Sequence, residues 1–276
     1  MTQVPTITLN DGVVIPQYGF GVWQVSTDDI VPAVSKALEV GYRHIDTAAM
    51  YGNEEGVGKA IATSGIPRDE IFVTTKLNNN GHLDAVAKAE ESVRKLGLDH
   101  VDLYLIHWPL PKRDTYLTAW RGLEEAKAKG LTRSIGVCNF EPAHLQRLAD
   151  EGLTTPSVNQ IEVHPTFTND AAVAASIQAG VEVEAWSPLG SGVDLDNEVV
   201  GGLAKELGKT AAQVILRWHL QLGYITFPKS VTPSRIQENF EVFDFQLNDD
   251  QVKAISALDD GNRTGPNPNE FDMVPD

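Results

Sequence analysis

The sequence predicts an α/β protein: a closed (β/α)8 barrel in one domain over residues 1–276, with an N-terminal β-hairpin and extra helices after the seventh and eighth strands. Three observations carry that expectation. Short β-rich runs alternate with helical patterns from residue 17 onward, which implies parallel βαβ units. Eight such units fit into roughly 210 residues, the compass of a closed barrel rather than an open sheet. No linker or shift in composition marks a second domain.

Taken in order, residues 6–9 and 13–16 flank Asn10-Asp11-Gly12 and read as a hairpin with a glycine-dependent turn. A glycine-interrupted strand over 17–23 leads to a helix over 26–40 with apolar Ile30, Val34, Ala37 and Leu38. The second barrel strand, 42–46, runs through a small-residue loop into a helix over 54–62. Asn53 is a good N-cap there, and Glu54 and Glu55 suit the positive end of the helix dipole. Strands over 71–76, 101–107, 134–137 and 157–161 alternate with helices over 84–96, 115–129, 142–150 and 171–179, with Gly130 and Gly180 as stops. After a strand over 181–186 come helices over 197–207 and 211–222. Thr210 and Gln213 have capping-box spacing at the start of the second. The last strand covers 224–227. Beyond it Thr232 reads as an N-cap and Pro233 as a first helical residue. The Gly- and Pro-containing tail from Asp259 reads as irregular chain lying over the barrel. Gly52, Gly56 and Gly58 lack the G-x-G-x-x-G spacing of a dinucleotide loop and read as close-packing positions.

Bulk properties narrow the function. A hydrophobic content of 42% supports a sizeable core, and a net charge of −16 argues against nucleic-acid and anionic-membrane partners. Any anionic ligand therefore needs a local cluster of positive charge. The single cysteine, Cys138, excludes an internal disulfide framework and fits a reducing cytoplasm. Residues 1–5 show no signal-peptide pattern, and no apolar run approaches the ~18 residues of a membrane span.

Barrel chemistry forms at the C-terminal ends of strands. Those ends carry Trp23, Asp46 with Tyr51 beyond it, Lys76, His107-Trp108, Cys138-Asn139, residues 160–164, Trp186-Ser187-Pro188 and Lys229-Ser230. Asp46, Tyr51, Lys76 and His107 thus gather on three neighbouring strands. A phenol with a reference pKa of about 10 is poorly matched to proton transfer near neutrality. The Lys76 ammonium can lower it, and Asp46 can keep that ammonium charged. A neutral His107 can hydrogen-bond a substrate oxygen. The set suits proton transfer to a carbonyl oxygen, but it holds no hydride, so a cofactor must bring one. His44 with Asp46 has the form of a metal-binding pair, but His44 reads better as facing the barrel's exterior or core.

Three motifs then resemble the aldo-keto reductase family. They are residues 41–48 with Tyr51-Gly52-Asn53-Glu54, the strand Asp102-Leu103-Tyr104-Leu105-Ile106-His107-Trp108-Pro109, and residues 227–236 with Glu238-Asn239. The resemblance covers nearly the whole chain and is nearest to bacterial members such as the diketogluconate reductases. It implies an NADPH-dependent reductase of aldehydes, dicarbonyls or keto-sugars, with NADH possible but weaker. It assigns catalysis to Asp46, Tyr51, Lys76 and His107, with Tyr51 as proton donor. It stacks the nicotinamide on Trp186 and holds its carboxamide with Cys138, Asn139 and Gln160. Ser187, Leu189 and Ser191 meet the pyrophosphate, and Lys229, Ser230, Val231, Arg235, Glu238 and Asn239 lie at the adenosine end. Tyr18, Trp23, Ala49, Asn78 and Trp108 become pocket walls, and the family tends to be monomeric. Physically, a helix N-terminus flanked by Lys229 and Arg235 is a ready phosphate site in so acidic a chain.

Three features depart from the family pattern. Cys138 stands where Ser is common, which weakens or moves a carboxamide contact and leaves a deep thiol that is expected to be oxidation-sensitive. Asn78 stands where a pocket-wall Trp is frequent. The tail from Asp259 is short, so its substrate contacts are unassigned. Two other functions compete: a cofactor-binding regulatory relative with little turnover, and a metal-dependent barrel hydrolase built on His44 and Asp46.

Overall fold

The computed structural model describes residues 4–275. The expectation of no signal peptide rests in part on residues 1–3, which lie outside that range. Strands β1 (Thr6–Thr8) and β2 (Val14–Pro16) form the antiparallel hairpin, with Thr6 opposite Pro16. Eight parallel strands follow: β3 (Phe20–Gly21), β4 (His44–Asp46), β5 (Phe72–Leu77), β6 (Val101–Ile106), β7 (Thr132–Cys138), β8 (Val158–Glu162), β9 (Glu182–Trp186) and β10 (Ile225–Thr226). Each pairs with the next in sequence, from β3 to β10. The ring closes through a parallel bridge between Tyr18 and Thr226. Backbone bonds from Gly19 N to Thr226 O at 2.9 Å and Gly21 N to Pro228 O at 3.1 Å extend that seam.

Helices α1 (Ile30–Val40), α2 (Glu54–Thr63), α3 (Ala85–Leu96), α4 (Tyr116–Ala128), α5 (Pro142–Asp150) and α6 (Asp170–Gln178) connect successive strands. Two helices, α7 (Glu198–Leu207) and α8 (Ala211–Gln221), lie between β9 and β10, and α9 (Pro233–Phe240) and α10 (Asp249–Ser256) follow β10. The fold is therefore the expected barrel, extra helices included. None of the described helices is long and apolar enough to cross a membrane. α10 goes beyond the elements read from the sequence, although Asn248 and Gln251 form a capping box at its start.

Local physics explains the smaller differences. α1 begins four residues later than expected, because Ser26 and Asp29 bond each other in a turn ahead of it. The capping box of Thr210 and Gln213 forms as its spacing predicts, and Gly130 terminates α4 in the left-handed region at φ 78°. Asn53 does not cap α2: it accepts from Thr47 Oγ1 and donates to Val22 O and Val25 O, tying the β3 and β4 loops together. Glu54 is buried and accepts from Thr75 Oγ1 at 2.7 Å instead of simply facing the dipole. A Cβ on Gly56 would reach Ile30 Cγ2 at 2.1 Å, and one on Gly58 would reach Leu96 O at 2.0 Å, so both are close-packing positions. Gly52 is not one: it turns the chain at φ 67° with open space around it.

The apolar layer lies mostly between strands and helices, where Trp120 and Trp218 are fully buried. Inside the barrel, Leu9 and Ile15 of the hairpin pack with Phe72, Leu103, Leu105, Val158 and Ile225. Asn10 pins the hairpin by donating to Pro156 O at 2.8 Å and Gly180 O at 3.0 Å. The hairpin thus stoppers the N-terminal end and leaves the C-terminal mouth open for chemistry.

Candidate active site

The strands bring the four predicted residues together at that mouth. Asp46 ends β4, Lys76 lies near the end of β5, His107 follows β6, and Tyr51 closes a 3-10 turn over Ala49–Tyr51. Lys76 is fully buried, and its Nζ donates to Asp46 Oδ1 at 2.7 Å and Thr47 O at 2.8 Å. It lies 3.4 Å from the Tyr51 hydroxyl and 5.0 Å from that ring's centre. The rings of Tyr51 and His107 meet edge-on at 5.7 Å.

The electrostatics follow from burial and pairing. Burial alone would lower the Lys76 pKa, but the Asp46 charge and hydrogen bond reverse that and hold the ammonium protonated. Tyr51 differs from the expectation. Burial raises its pKa, the pull of Lys76 only partly offsets that, and the group is a firm phenol at neutral pH. Burial first, then the Lys76 charge, push His107 well down, so its imidazole is neutral. Its Nδ1 is buried without a partner among the described residues. Cys138 is 1% exposed, and burial raises its pKa, so the thiol stays un-ionised and is poorly disposed to oxidation, against the expectation.

Around this centre the other predicted residues are distributed as follows. Gln160 Nε2 donates to Asp46 Oδ2 and Glu184 Oε2, both at 2.8 Å, and Cys138 Sγ lies 3.5 Å from Gln160 Oε1. Asn139, at φ 62°, donates to His107 O and accepts from Trp186 Nε1 at 2.8 Å. Residues 187–192 hold four left-handed positions, Ser187, Gly190, Ser191 and Gly192, with Leu189 half-buried between them. Such strain at non-glycine positions is concentrated at functional sites. Lys229, Val231 and Arg235 are exposed about the N-terminus of α9, with Glu238 and Asn239 farther along it. Thr232 makes no side-chain cap; Ser230 Oγ accepts from its N–H at 3.1 Å instead.

Trp23 is half exposed, and Ala49 and Asn78 are partly exposed, as mouth residues should be. Asn78 spends its side-chain oxygen on Asn79 N, and Trp108 is covered by Phe271 at a ring distance of 4.2 Å. Tyr18 is a correction. It is fully buried, stacks on Tyr42 at 5.6 Å and donates to Asn239 O, so it packs outward against α9 and not into the mouth. It precedes the two-residue β3, and its side chain falls on the helix side. His44 is a core residue, 2.9 Å from Thr74 Oγ1, and no group of three or more His, Cys, Asp or Glu among the described residues is placed to hold a metal ion.

A second buried cluster went unread in the sequence. Glu162, at the end of β8, accepts from Thr264 N and Thr264 Oγ1 at 2.6 Å and from Gly265 N at 3.0 Å. His164 joins it at 3.3 Å and reaches Asp194 Oδ2 at 2.8 Å. The tail is thereby strapped across the mouth from Trp186, against which Gly265 lies, to Asn79, which donates to Met273 O. The signal was an acidic residue inside an apolar run, Ile161-Glu162-Val163. Burial lowers the His164 pKa, but the bonds to Asp194 and Glu162 outweigh it and raise the group to about 8. Its stabilising contribution, about 2 kcal/mol, is fully present below the unfolded value near 6.5 and is lost as pH rises through 8. Hydrogen exchange at Thr264 and Gly265 is therefore expected to speed up between pH 6 and pH 9 beyond the intrinsic pH dependence. His164→Asn should flatten that excess; an unchanged excess would disprove the coupling.

Comparison with known proteins gives the family. Residues 16–260 match the Aldo/keto reductase family. The chain is 54% identical to methylglyoxal reductase DkgA of Yersinia pestis, over 98% of this chain and 99% of that protein. An aldo/keto reductase from Brucella melitensis superposes with a TM-score of 0.90 at 51% identity, covering 94% of this chain and 99% of that one. A Bombyx mori aldo-keto reductase, solved in complex with NADP, superposes with a TM-score of 0.89 at 40% identity, covering 95% of each chain. On this match and this likeness, the chain belongs to the aldo/keto reductase family.

Proposed function

We propose that this protein reduces small aldehydes, ketones or dicarbonyls of the methylglyoxal kind with NADPH, and that Tyr51 gives the proton. The observation that carries this is the buried Lys76–Asp46 ion pair set beneath the Tyr51 hydroxyl, with a neutral His107 beside it. The residues present fit the cofactor. Asn139 holds the edge of Trp186 at Nε1, Gln160 lies on the neighbouring strand, Ser187 and Ser191 bend the following loop through left-handed turns, and Lys229 and Arg235 flank a helix N-terminus.

When bound, the reduced nicotinamide supplies the hydride to the carbonyl carbon. Tyr51 donates a hydrogen bond to the substrate oxygen and passes its proton as negative charge develops there. Lys76, held protonated by Asp46, stabilises the phenolate left behind. His107 fixes the carbonyl through a neutral ring nitrogen. Trp23, Trp108 and Phe271 give apolar walls that limit water.

The test is NADPH consumption, followed by absorbance, with a panel of aldehydes, dicarbonyls and sugar ketones, one arm containing a chelator. Turnover that survives chelation is the expected result. No NADPH consumption, with a hydrolysis of ester or amide probes that a chelator abolishes, would favour the metal-dependent hydrolase, and NADPH binding without turnover the regulatory relative. For the cofactor, Arg235→Ala is expected to weaken NADPH binding about tenfold or more and leave NADH unchanged, since only a 2′-phosphate offers that side chain a doubly charged partner. Equal loss for both cofactors in a fluorescence titration would contradict this placement.

A further inference from the structure

Glu184 has no task in the mechanism above, yet it is fully buried beside the reacting centre. It lies on β9 two residues before Trp186, so both project to the same side of the strand, about 7 Å apart along it. Its Oε2 takes one proton of the Gln160 amide at 2.8 Å, and Asp46 Oδ2 takes the other at the same distance. Asp46 is itself paired with the Lys76 ammonium and can only accept. Both Nε2 protons of Gln160 are thus committed downward, to two carboxyl groups. What Gln160 has left is its oxygen, whose neighbour among the described residues is the weak donor Cys138 Sγ at 3.5 Å.

We propose that Glu184 is a positioning residue for cofactor recognition: together with Asp46 it locks the Gln160 amide so that its oxygen, never its nitrogen, meets the nicotinamide carboxamide, and so requires the NH2 end of that group there. This rests on the NADPH reading above. Two side observations support it. Glu184 Oε1 is buried with no partner among the described residues, so the Gln160 amide is the hydrogen-bond partner the carboxyl has there. Burial, followed by the Asp46 charge, raises its pKa to about 8, while the Gln160 bond and Lys76 pull it the other way. Near neutrality it is mostly the uncharged acid, which still accepts at Oε2 without setting a second anion beside Asp46. Asp46 on β4, Lys76 on β5, Cys138 on β7 and Gln160 on β8 are the polar groups about it, and β10 presents apolar Ile225 in register. A lone hydrocarbon at position 184 would free one Gln160 proton and let the amide turn.

The experiment titrates wild type, Glu184→Gln and Glu184→Leu with NADP and with its 3-acetylpyridine analogue, in which a methyl group replaces the carboxamide NH2. Quenching of tryptophan fluorescence reads binding, and thermal unfolding confirms the fold. Wild type is expected to prefer NADP by about tenfold, the worth of one hydrogen bond in a buried site. Glu184→Gln, which keeps an acceptor, should retain that preference. Glu184→Leu should reduce it to within about twofold, by weakening NADP and leaving the analogue unchanged. Glu184→Thr, too short to reach Gln160, gives the same reading if the leucine variant does not fold. An undiminished preference in a folded Leu or Thr variant overturns the proposal alone, as does equal binding of the two probes by wild type. Failure of wild type to bind either probe overturns the cofactor reading and this proposal with it.

Discussion

Tyr51→Phe is expected to lower kcat for carbonyl reduction about 10²–10⁴-fold while NADPH binds within about twofold of wild type. The substitution removes one hydroxyl from a half-open turn and leaves the ring against His107. Lys76 keeps its two short bonds, to Asp46 and Thr47, so the buried pair survives. On the proposed mechanism only the proton donor is lost. His107 cannot replace it, because burial and the Lys76 charge hold its imidazole neutral and thus a poor acid. Stopped-flow single turnovers would separate chemistry from binding. A Phe variant that turns over at more than about a tenth of the wild-type rate would assign the proton to another group.

Lys76→Met should cost about 3–5 kcal/mol of stability, a large part of the ~5–15 kcal/mol available to a native domain, and abolish turnover. The ammonium is fully buried and Asp46 is 2% exposed, so removing one partner strands a carboxylate away from water. Asp46→Asn in the same chain should recover most of that stability, since the amide carries no charge, and should recover no activity. Denaturant melts of the two single variants and the double would show the coupling. Additive losses would mean that the pair is not the buried unit described above.

Most of the architecture was legible because each barrel strand is a short apolar run flanked by a helix with its own stop, such as Gly130 or Gly180. The four central residues were legible because strand ends define the mouth. Tyr18 was not, since the strand that would fix its facing is only Phe20–Gly21 and a one-residue shift reverses a side chain. Nor was the pKa of Tyr51, which depends on burial set against a 3.4 Å contact with Lys76. Glu162 and Glu184 were missed for a common reason. Each is a buried carboxyl on a barrel strand, and its hydrogen-bond partner comes from distant chain: Thr264 for one, Gln160 for the other.

The stopper formed by the hairpin also sets an order for the birth of the molecule. Asn10 bonds to Pro156 and Gly180, partners 146 and 170 residues downstream. At roughly 5–20 residues per second of synthesis, those partners arrive some 7–34 seconds after Asn10 has been made. A lone two-stranded ribbon is marginal in water, so through that interval the hairpin lacks the bonds that pin it, and Leu9 and Ile15 lack Val158 and Ile225 among their apolar neighbours. A nascent chain stalled before residue 156 would hold the plug without the part of the barrel that anchors it.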